Sequence, residues 1–516
     1  MRVTLKIDTN HLIDHLRTLV NFTAKVCADS RQVKPGDIFF AYPVGHGNVL
    51  RDGRQYINAA LEKGAAVVVF DPDDFESPFL DHPQCFAVKD LSVEAGRLCS
   101  EWYGHPSRDL KIIGVTGTNG KTTITQWLAQ ALHSSSHPTA VLGTLGAGFP
   151  KALIQTGYTT PDAPKLQSQL AELRNEGAKQ VVMEVSSHAL DQHRVSGTDI
   201  HCAVFTNLTQ DHLDYHGSMA EYAEAKAKLF QQSGLEHAVI NLDDAFGREL
   251  AMNLLAKEKL HVWAYALTRS SFEGFEKFGT HLHRSYTENV ALSNEGYSAT
   301  FLLDGVGSAE LHIPILGEFN LSNALAVWTV LISQGFDCAE AAKRVSQLTS
   351  VPGRMELISL GKQQKRSGLL AIVDYAHTPD ALEKTLQALR PIANQRGGKI
   401  WCVFGCGGER DVGKRPLMGA VAESYADHLL ITSDNPRSEN PQDIMQMIRS
   451  GIKSDGPNIQ MIPDRAVAIM AAIRHADSRD VVLVAGKGHE TTQEILGKKF
   501  EFSDQEHIRL AAGGGL

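Results

Sequence analysis

The stretch Gly114-Val-Thr-Gly-Thr-Asn-Gly-Lys-Thr-Thr123 constrains the chain more than any other. It emerges from the β-type run Lys111–Val115 and leads into the helical pattern ITQWLAQAL. Glycines let backbone N–H groups turn inward around phosphate oxygens, and the N-terminus of the following helix adds partial positive charge. Gly117, Thr118, Asn119, Gly120, Lys121, Thr122 and Thr123 are therefore candidate nucleotide contacts. Lys121 can reach the β- and γ-phosphates of a nucleotide, and the Thr122 hydroxyl can ligate Mg²⁺. The spacing is not the strict Walker pattern, because Val115 stands where the first Gly belongs. Gly-Lys-Thr between a strand and a helix is nevertheless far more specific than a Gly-rich turn.

The rest of the chain has a matching rhythm. Short apolar runs alternate with helical patterns: Val181–Val185, Ala203–Thr206, Ala371–Val373, Trp401–Phe404, Leu429–Thr432 and Val481–Ala485. This predicts α/β domains with largely parallel sheets, whose ligands bind beyond the carboxyl ends of the strands. A length of 516 residues is too great for one core and suggests about three domains. His105-Pro-Ser-Arg108 and Val351-Pro-Gly-Arg354 punctuate the chain, giving expected domains of 1–107, 108–351 and 352–516. A Gly-rich end, Ala511–Leu516, is expected to be loose.

Composition excludes several classes. At 43% hydrophobic and 21% charged residues, there is ample material for packed cores. A net charge of −9 argues against a general nucleic-acid binder but not against small anions, which a local cation cluster can hold. The seven cysteines are scattered, and the close pair Cys402 and Cys406 has no second pair or nearby His to complete a zinc site. Reduced thiols and a cytoplasmic location are expected. The charged start MRVTLKIDTNHLIDHL has no signal core, and apolar runs such as Ala65–Phe70 are far short of the roughly 20 residues a membrane helix needs.

Two further features point to chemistry beside the phosphate loop. Glu184 and His212 both follow β-type runs, and a carboxylate with an imidazole suits Mg²⁺ or Mn²⁺ held mainly through waters and nucleotide oxygens. In MAEYAEAKAKLF, Tyr222, Ala225, Lys226, Leu229 and Phe230 share one helical face. Lys226 thus falls on the apolar stripe, where it either snorkels to water or, if desolvated, reacts as a neutral amine.

GVTGTNGKTT resembles the ATP loop of the Mur ligases and of their relative folylpolyglutamate synthase, enzymes that form amide bonds through an acyl phosphate. The loop does not separate the two; motifs spanning nearly the whole chain favour the Mur ligases. The resemblance implies two Mg²⁺ ions, with Thr122, Glu184 and His212 as ligands and Lys226 carbamylated (N6-carboxylysine) to help hold the second. Lys121, Glu184, His212 and Lys226 would then carry catalysis, with no redox cofactor. It implies a small N-terminal uridine-nucleotide-binding α/β domain, a central P-loop ATPase-like parallel-sheet domain and a C-terminal Rossmann-like domain that binds the amino acid.

The resemblance also distributes the substrates. Asp29-Ser30-Arg31 with PGDIFFA, and Gly45-His46 with the segment after it, look like the uridine-nucleotide domain, with Ser30 against the uracil or diphosphate. Thr159, Thr160, Ser186, Gln192 and Arg194 match the region that grips the muramoyl-dipeptide, and hydroxyls, an amide and a guanidinium suit a sugar bearing a carboxylate. Asn320 would cover the adenine, although Phe319 stands where His is common. Arg354, Asp374 and His377 would close on ATP, and the last two are read as a polar pair with few structural duties.

Asp434-Asn435-Pro436-Arg437 resembles the signature of the branch that adds meso-diaminopimelate, whereas lysine-adding relatives carry another residue in place of the Arg. Diaminopimelate has a distal carboxylate that lysine lacks, and Arg437 and Arg410 can pair with carboxylates in bidentate geometry. Gly486 and Glu490, in Gly486-Lys-Gly488-His-Glu490, match another part of that pocket, with Glu490 against the distal amino group. The implied partners are ATP, UDP-N-acetylmuramoyl-L-alanyl-D-glutamate and meso-diaminopimelate, used by a monomer with no nucleic acid and no membrane insertion. Residues 268–310 carry no readable motif.

Overall fold

A computed structural model of the chain describes residues 11–45, 50–76, 78–257, 260–293, 296–360 and 368–513. His46 and the last three residues of Ala511–Leu516 lie outside them. The chain forms two compact units, Met1–Ser285 with Ala326–Phe336, and Tyr286–Leu325 with Asp337–Leu516.

Two sheets form the body of the first unit, beside a short antiparallel pair, Pro43–Val44 with Arg51–Asp52. The smaller has four parallel strands in the order Val26–Cys27, Ile38–Ala41, Val67–Phe70 and Cys85–Ala87. Ile-Phe-Phe-Ala and Val-Val-Val-Phe are buried at every position because both faces are covered. Ile38, Phe40, Val67 and Val69 pack with residues of the helices Leu12–Leu19 and Leu91–Trp102. Phe39, Ala41, Val68 and Phe70 pack with Ile57 and Ala60 of Ile57–Glu62.

In the larger sheet Lys111–Thr116 lies between Gln180–Glu184 and Cys202–Phe205, parallel to both. Thr139–Gly143 flanks Gln180–Glu184, and beyond Cys202–Phe205 come His237–Asn241, His261–Tyr265 and the first residues of Leu282–Ser293, all parallel. The chain leaves Lys111–Thr116 for strands on one side and later returns to the other. The loop after that strand therefore opens at a topological switch point, where open α/β sheets bind ligands.

The second unit is built on a six-stranded sheet in the order Glu356–Leu357, Leu370–Asp374, Val481–Ala485, Ile400–Phe404, His428–Ile431 and Ile459–Met461. Only the first pairing is antiparallel. Alternate residues face two cores: Ile372, Cys402, Phe404 and Leu483 on one side, Val373, Trp401, Val403 and Val484 on the other. Helices cover both, including Pro379–Arg396 on the first and Arg465–His475 on the second. This unit also holds two antiparallel pairs, Gly296–Leu303 with Gly307–Ile313 and Thr492–Ile495 with Lys498–Glu501. Residues 268–310, unreadable in sequence, thus include the long strand Leu282–Ser293 and the antiparallel strand Gly296–Leu303. All seven cysteines are free thiols, and no helix among the described residues is long and apolar enough to cross a membrane.

Candidate functional site

The phosphate loop is laced to the neighbouring strand end. Gly117 has φ +143° and Gly120 φ +89°, and the helix Lys121–Leu132 starts at once. Asn207 Oδ1 accepts from the Asn119 N–H at 2.9 Å, Asn207 O accepts from the Thr118 N–H at 2.8 Å, and Thr206 Oγ1 donates to Asn119 O at 2.6 Å. Thr118 Oγ1 donates to Thr209 O at 3.1 Å and lies 3.2 Å from Tyr222 Oη. Lys121 folds back over the loop, its Nζ donating to the Gly117 and Thr118 carbonyls at 2.9 Å each. Thr123 is buried in the first turn.

Thr122 and Glu184 meet behind the loop. Thr122 Oγ1 donates to Glu184 Oε2 at 2.9 Å. Thr144 adds its N–H to Oε1 at 2.8 Å and its hydroxyl to Oε2 at 3.2 Å. A buried carboxylate ringed by hydroxyls, directly behind a phosphate loop, is a set of hard oxygen donors that fits Mg²⁺.

Lys226 is 1% exposed. Its Nζ sits 4.2 Å from the centroid of the Tyr222 ring. Burial first, and then the charge of Lys121, push its pKa well below the usual lysine range, against the opposing pull of Asp211. His212 adopts φ +54° and lies 3.4 Å from Asp211. Burial lowers its pKa, with Lys121 and Lys226 adding to the effect and Asp211 opposing it. Lys226 thus feels the charge of Lys121, and His212 feels both lysines.

The residues read as dipeptide contacts form one chain of bonds. Thr160 Oγ1 donates to Glu184 O at 2.8 Å and accepts from the Ser186 N–H at 3.1 Å. Thr159 Oγ1 is 3.1 Å from Thr144 Oγ1. Ser186 Oγ also caps the helix Ser187–Asp191 by accepting from the Ala189 N–H. Arg194 donates through Nη1 to Thr160 O at 2.9 Å and through Nε to Gln192 Oε1 at 3.0 Å, and Gln192 Nε2 donates to Tyr215 Oη at 3.0 Å. Burial lowers the Arg194 pKa while Asp162 and Tyr42 counteract it, so a residue of the smaller sheet's region faces this cation. The His188 ring lies tilted against Tyr215 with centroids 4.2 Å apart, and burial with His212 and His216 holds its pKa at about 3. Ser30 is buried nearer the start of the chain, its carbonyl accepting from Lys63 Nζ at 3.0 Å.

In the second unit Asn320 is buried, donating to Leu316 O at 2.9 Å and accepting from Asn323. Arg354 lies over the Tyr375 ring at 4.5 Å. Asp374 corrects one sequence argument. It ends its strand, and its carboxylate accepts the N–H groups of Met355 at 2.7 Å and Ala376 at 2.8 Å, so it has clear structural duties. His377 is exposed, its Nδ1 donating to Tyr375 O at 2.8 Å.

Four loops converge beyond neighbouring strands of this sheet. Arg437 has φ +51°, and its N–H donates to Glu494 O at 3.1 Å while its carbonyl accepts from Leu496 N at 2.6 Å. Its Nη1 donates to Gly408 O at 2.5 Å. Asp434 and Pro436 are buried, and Arg410 is exposed on the loop that carries Gly408. Asn435 Nδ2 donates to Glu490 Oε2 at 2.8 Å, and the Gly486 N–H donates to Asp374 O.

Sequence reasoning passed over Thr144, Asn207, Thr209 and Lys487. Each is a polar residue just past the end of an apolar run, which is the signal that could have found them. Among the described residues one group of His and carboxylate atoms is close enough to share an ion without a nucleotide: His201, Glu236 and His237. It lies at the opposite ends of the strands from the phosphate loop, and Trp263 Nε1 already donates to His237 Nδ1 at 3.2 Å.

Residues 115–331 match the profile of the Mur ligase middle domain, and residues 353–488 that of the Mur ligase glutamate ligase domain. The chain is 49% identical to the UDP-N-acetylmuramoyl-L-alanyl-D-glutamate–2,6-diaminopimelate ligase of Ralstonia nicotianae, over 97% of this chain and 95% of that relative. A solved structure of a ligase of the same name aligns with TM-score 0.65 and 36% identity, covering 95% of this chain and 94% of that one. The ADP complex of the MurF ligase from Thermotoga maritima aligns with TM-score 0.58 over 91% of this chain and 95% of that one; at 18% identity it shows shared fold alone.

Proposed function

The chain belongs to the Mur ligase family, and we propose that it joins meso-diaminopimelate to UDP-N-acetylmuramoyl-L-alanyl-D-glutamate with conversion of ATP to ADP and phosphate. The observation that carries this reading is the polar cluster of Asn435, Arg437 and Glu490, which offers both signs of charge to an amino acid. Diaminopimelate ends in a carboxylate and an ammonium; Arg437, 3.7 Å from Glu494 Oε2, can take that carboxylate as a further partner, a contact lysine would forgo at a loss of about 1.5–3 kcal/mol. The reaction belongs to peptidoglycan precursor synthesis in the cytoplasm, carried out by a monomer.

The γ-carboxylate of the D-glutamyl residue attacks the γ-phosphorus of ATP, forming an acyl phosphate as the bond from that phosphorus to ADP breaks. The amine of diaminopimelate then attacks the acyl carbon, loses a proton, and expels phosphate. Loop N–H groups and Lys121 orient the triphosphate, and Arg194 with Thr159, Thr160, Ser186 and Gln192 fixes the dipeptide. Ser30 holds the uridine end, while Asn320, Arg354, Asp374 and His377 serve the nucleotide. Thr122, Glu184, His212 and a carbamylated Lys226 would hold two magnesium ions, which when bound supply positive charge against the phosphate oxygens.

Phosphate release from ATP with the UDP-muramoyl-dipeptide, comparing meso-diaminopimelate with L-lysine, tests the reading. Release should require both substrates and prefer diaminopimelate by about tenfold to a hundredfold. Equal or better release with lysine would overturn the assignment to Arg437, and release with neither would overturn the ligase reading.

A further inference from the structure

Lys487 leaves the strand Val481–Ala485 as the second residue of the Gly486–Glu490 loop. Its side chain is 0% exposed. The ammonium donates to three acceptors: Asn435 Oδ1 at 3.0 Å, Glu490 Oε2 at 2.9 Å and Thr492 O at 2.7 Å. That is its full donor capacity. The acceptors stand on three segments: the turn after His428–Ile431, the loop itself, and the first residue of Thr492–Ile495. Asn435 also bonds Glu490 Oε2 through Nδ2 and accepts from the Glu494 N–H at 3.0 Å. Glu490 Oε2 therefore takes two internal hydrogen bonds, while Oε1 takes none among the described residues.

A cation removed from water is costly even when fully bonded, and an apolar residue would serve packing alone. We infer that Lys487 is a positioning residue for the amino-acid substrate, locking Asn435 and Glu490 into one unit and leaving Glu490 Oε1 to accept the substrate's distal ammonium. The inference rests on the reading of Asn435 and Glu490 as diaminopimelate contacts.

Electrostatics agree with this geometry. Burial raises the Glu490 pKa, but the charge and hydrogen bond of Lys487, helped by Asn435 and His489, outweigh it and bring it below the ordinary value. Asp434, Arg465 and Tyr375 feel the same carboxylate from neighbouring elements. Arg465 is held by Asp504 at 2.7 Å and donates to Ala485 O, so it cannot stand in for Lys487.

The test is steady-state kinetics of the full-length Lys487→Met variant. The KM for diaminopimelate should rise about tenfold to a hundredfold, the value of a charge-assisted hydrogen bond, with the KM values for ATP and the UDP-dipeptide unchanged. The pH profile gives a second readout. Glu490 must be ionised to bind an ammonium, and without Lys487 burial raises its pKa, so the acid limb of kcat/KM for diaminopimelate should move to higher pH. In a Glu490→Gln background, Lys487→Met should add little. An unmoved acid limb, an equal loss for all three substrates, or full additivity in the double variant would overturn the inference. Wild-type protein inactive with diaminopimelate would overturn the proposed function instead.

Discussion

Lys226 is a lysine where a leucine would pack. Tyr222, Ala225, Lys226, Leu229 and Phe230 are all buried, while Lys228, off that stripe, pairs with Asp191 at 2.9 Å. The choice left open by sequence, snorkelling or desolvation, is settled by 1% exposure. Burial and Lys121 favour the neutral amine. A neutral amine can attack CO₂, forming an N–C bond and releasing one proton to leave a carbamate, which reverses the sign of charge beside the phosphate loop. Wild-type protein equilibrated with ¹³C-bicarbonate should show a carbamate carbon signal that Lys226→Met lacks. Turnover of the variant should fall at least about a hundredfold with its thermal stability retained, since Met suits the apolar stripe. Identical spectra from the two proteins would reject the modification.

The phosphate loop and its partner segment act as one element. Gly117 is required twice, by its positive φ and by closeness: a Cβ there would lie 1.8 Å from Thr206 Oγ1 and 3.0 Å from Asn207 N. Gly305 also has positive φ, +72°, but nothing lies within 4 Å of its would-be Cβ. Gly117→Ala should therefore cost about 2–4 kcal/mol and raise the KM for ATP, whereas Gly305→Ala should cost only about 1–2 kcal/mol and leave that KM alone. Equal melting temperatures for the two variants would show that the lacing to Thr206 is not rigid. Strands such as Lys111–Thr116 and Val481–Ala485 were legible because burial on both faces leaves an unbroken apolar run. Leu282–Ser293 was not, because only four of its twelve residues are buried and the run is diluted by polar residues. Local motifs named the loop residues, but the bonds that join them to Asn207, Thr209 and Thr144 depend on strand order, which no local pattern encodes. Asp374 shows the same limit, since its partner Met355 lies on a different strand's approach.

At the scale of the whole chain, a net charge of −9 coexists with anionic substrates because the cations are local and divided between the two units. Lys121 and Arg194 belong to the first unit, with the phosphate loop and the residues proposed to hold the dipeptide. Arg437, Lys487 and Glu490 belong to the second. The proposed reaction divides partly along the same line: the first unit supplies the phosphate loop and the groups for the dipeptide, and the second, besides residues that serve the nucleotide, chooses the amine. The two steps should therefore be separable by mutation. With hydroxylamine present, an acyl phosphate is trapped as a hydroxamate without any amino acid. Arg437→Ala should form hydroxamate at close to the wild-type rate while its kcat/KM for diaminopimelate falls about tenfold to a hundredfold. Lys121→Ala should lose both, because phosphoryl transfer precedes either fate of the intermediate. If Arg437→Ala lost hydroxamate and amide formation to the same extent, Arg437 would be acting before the amine arrives, and selection of the amino acid would have to be built into the first step.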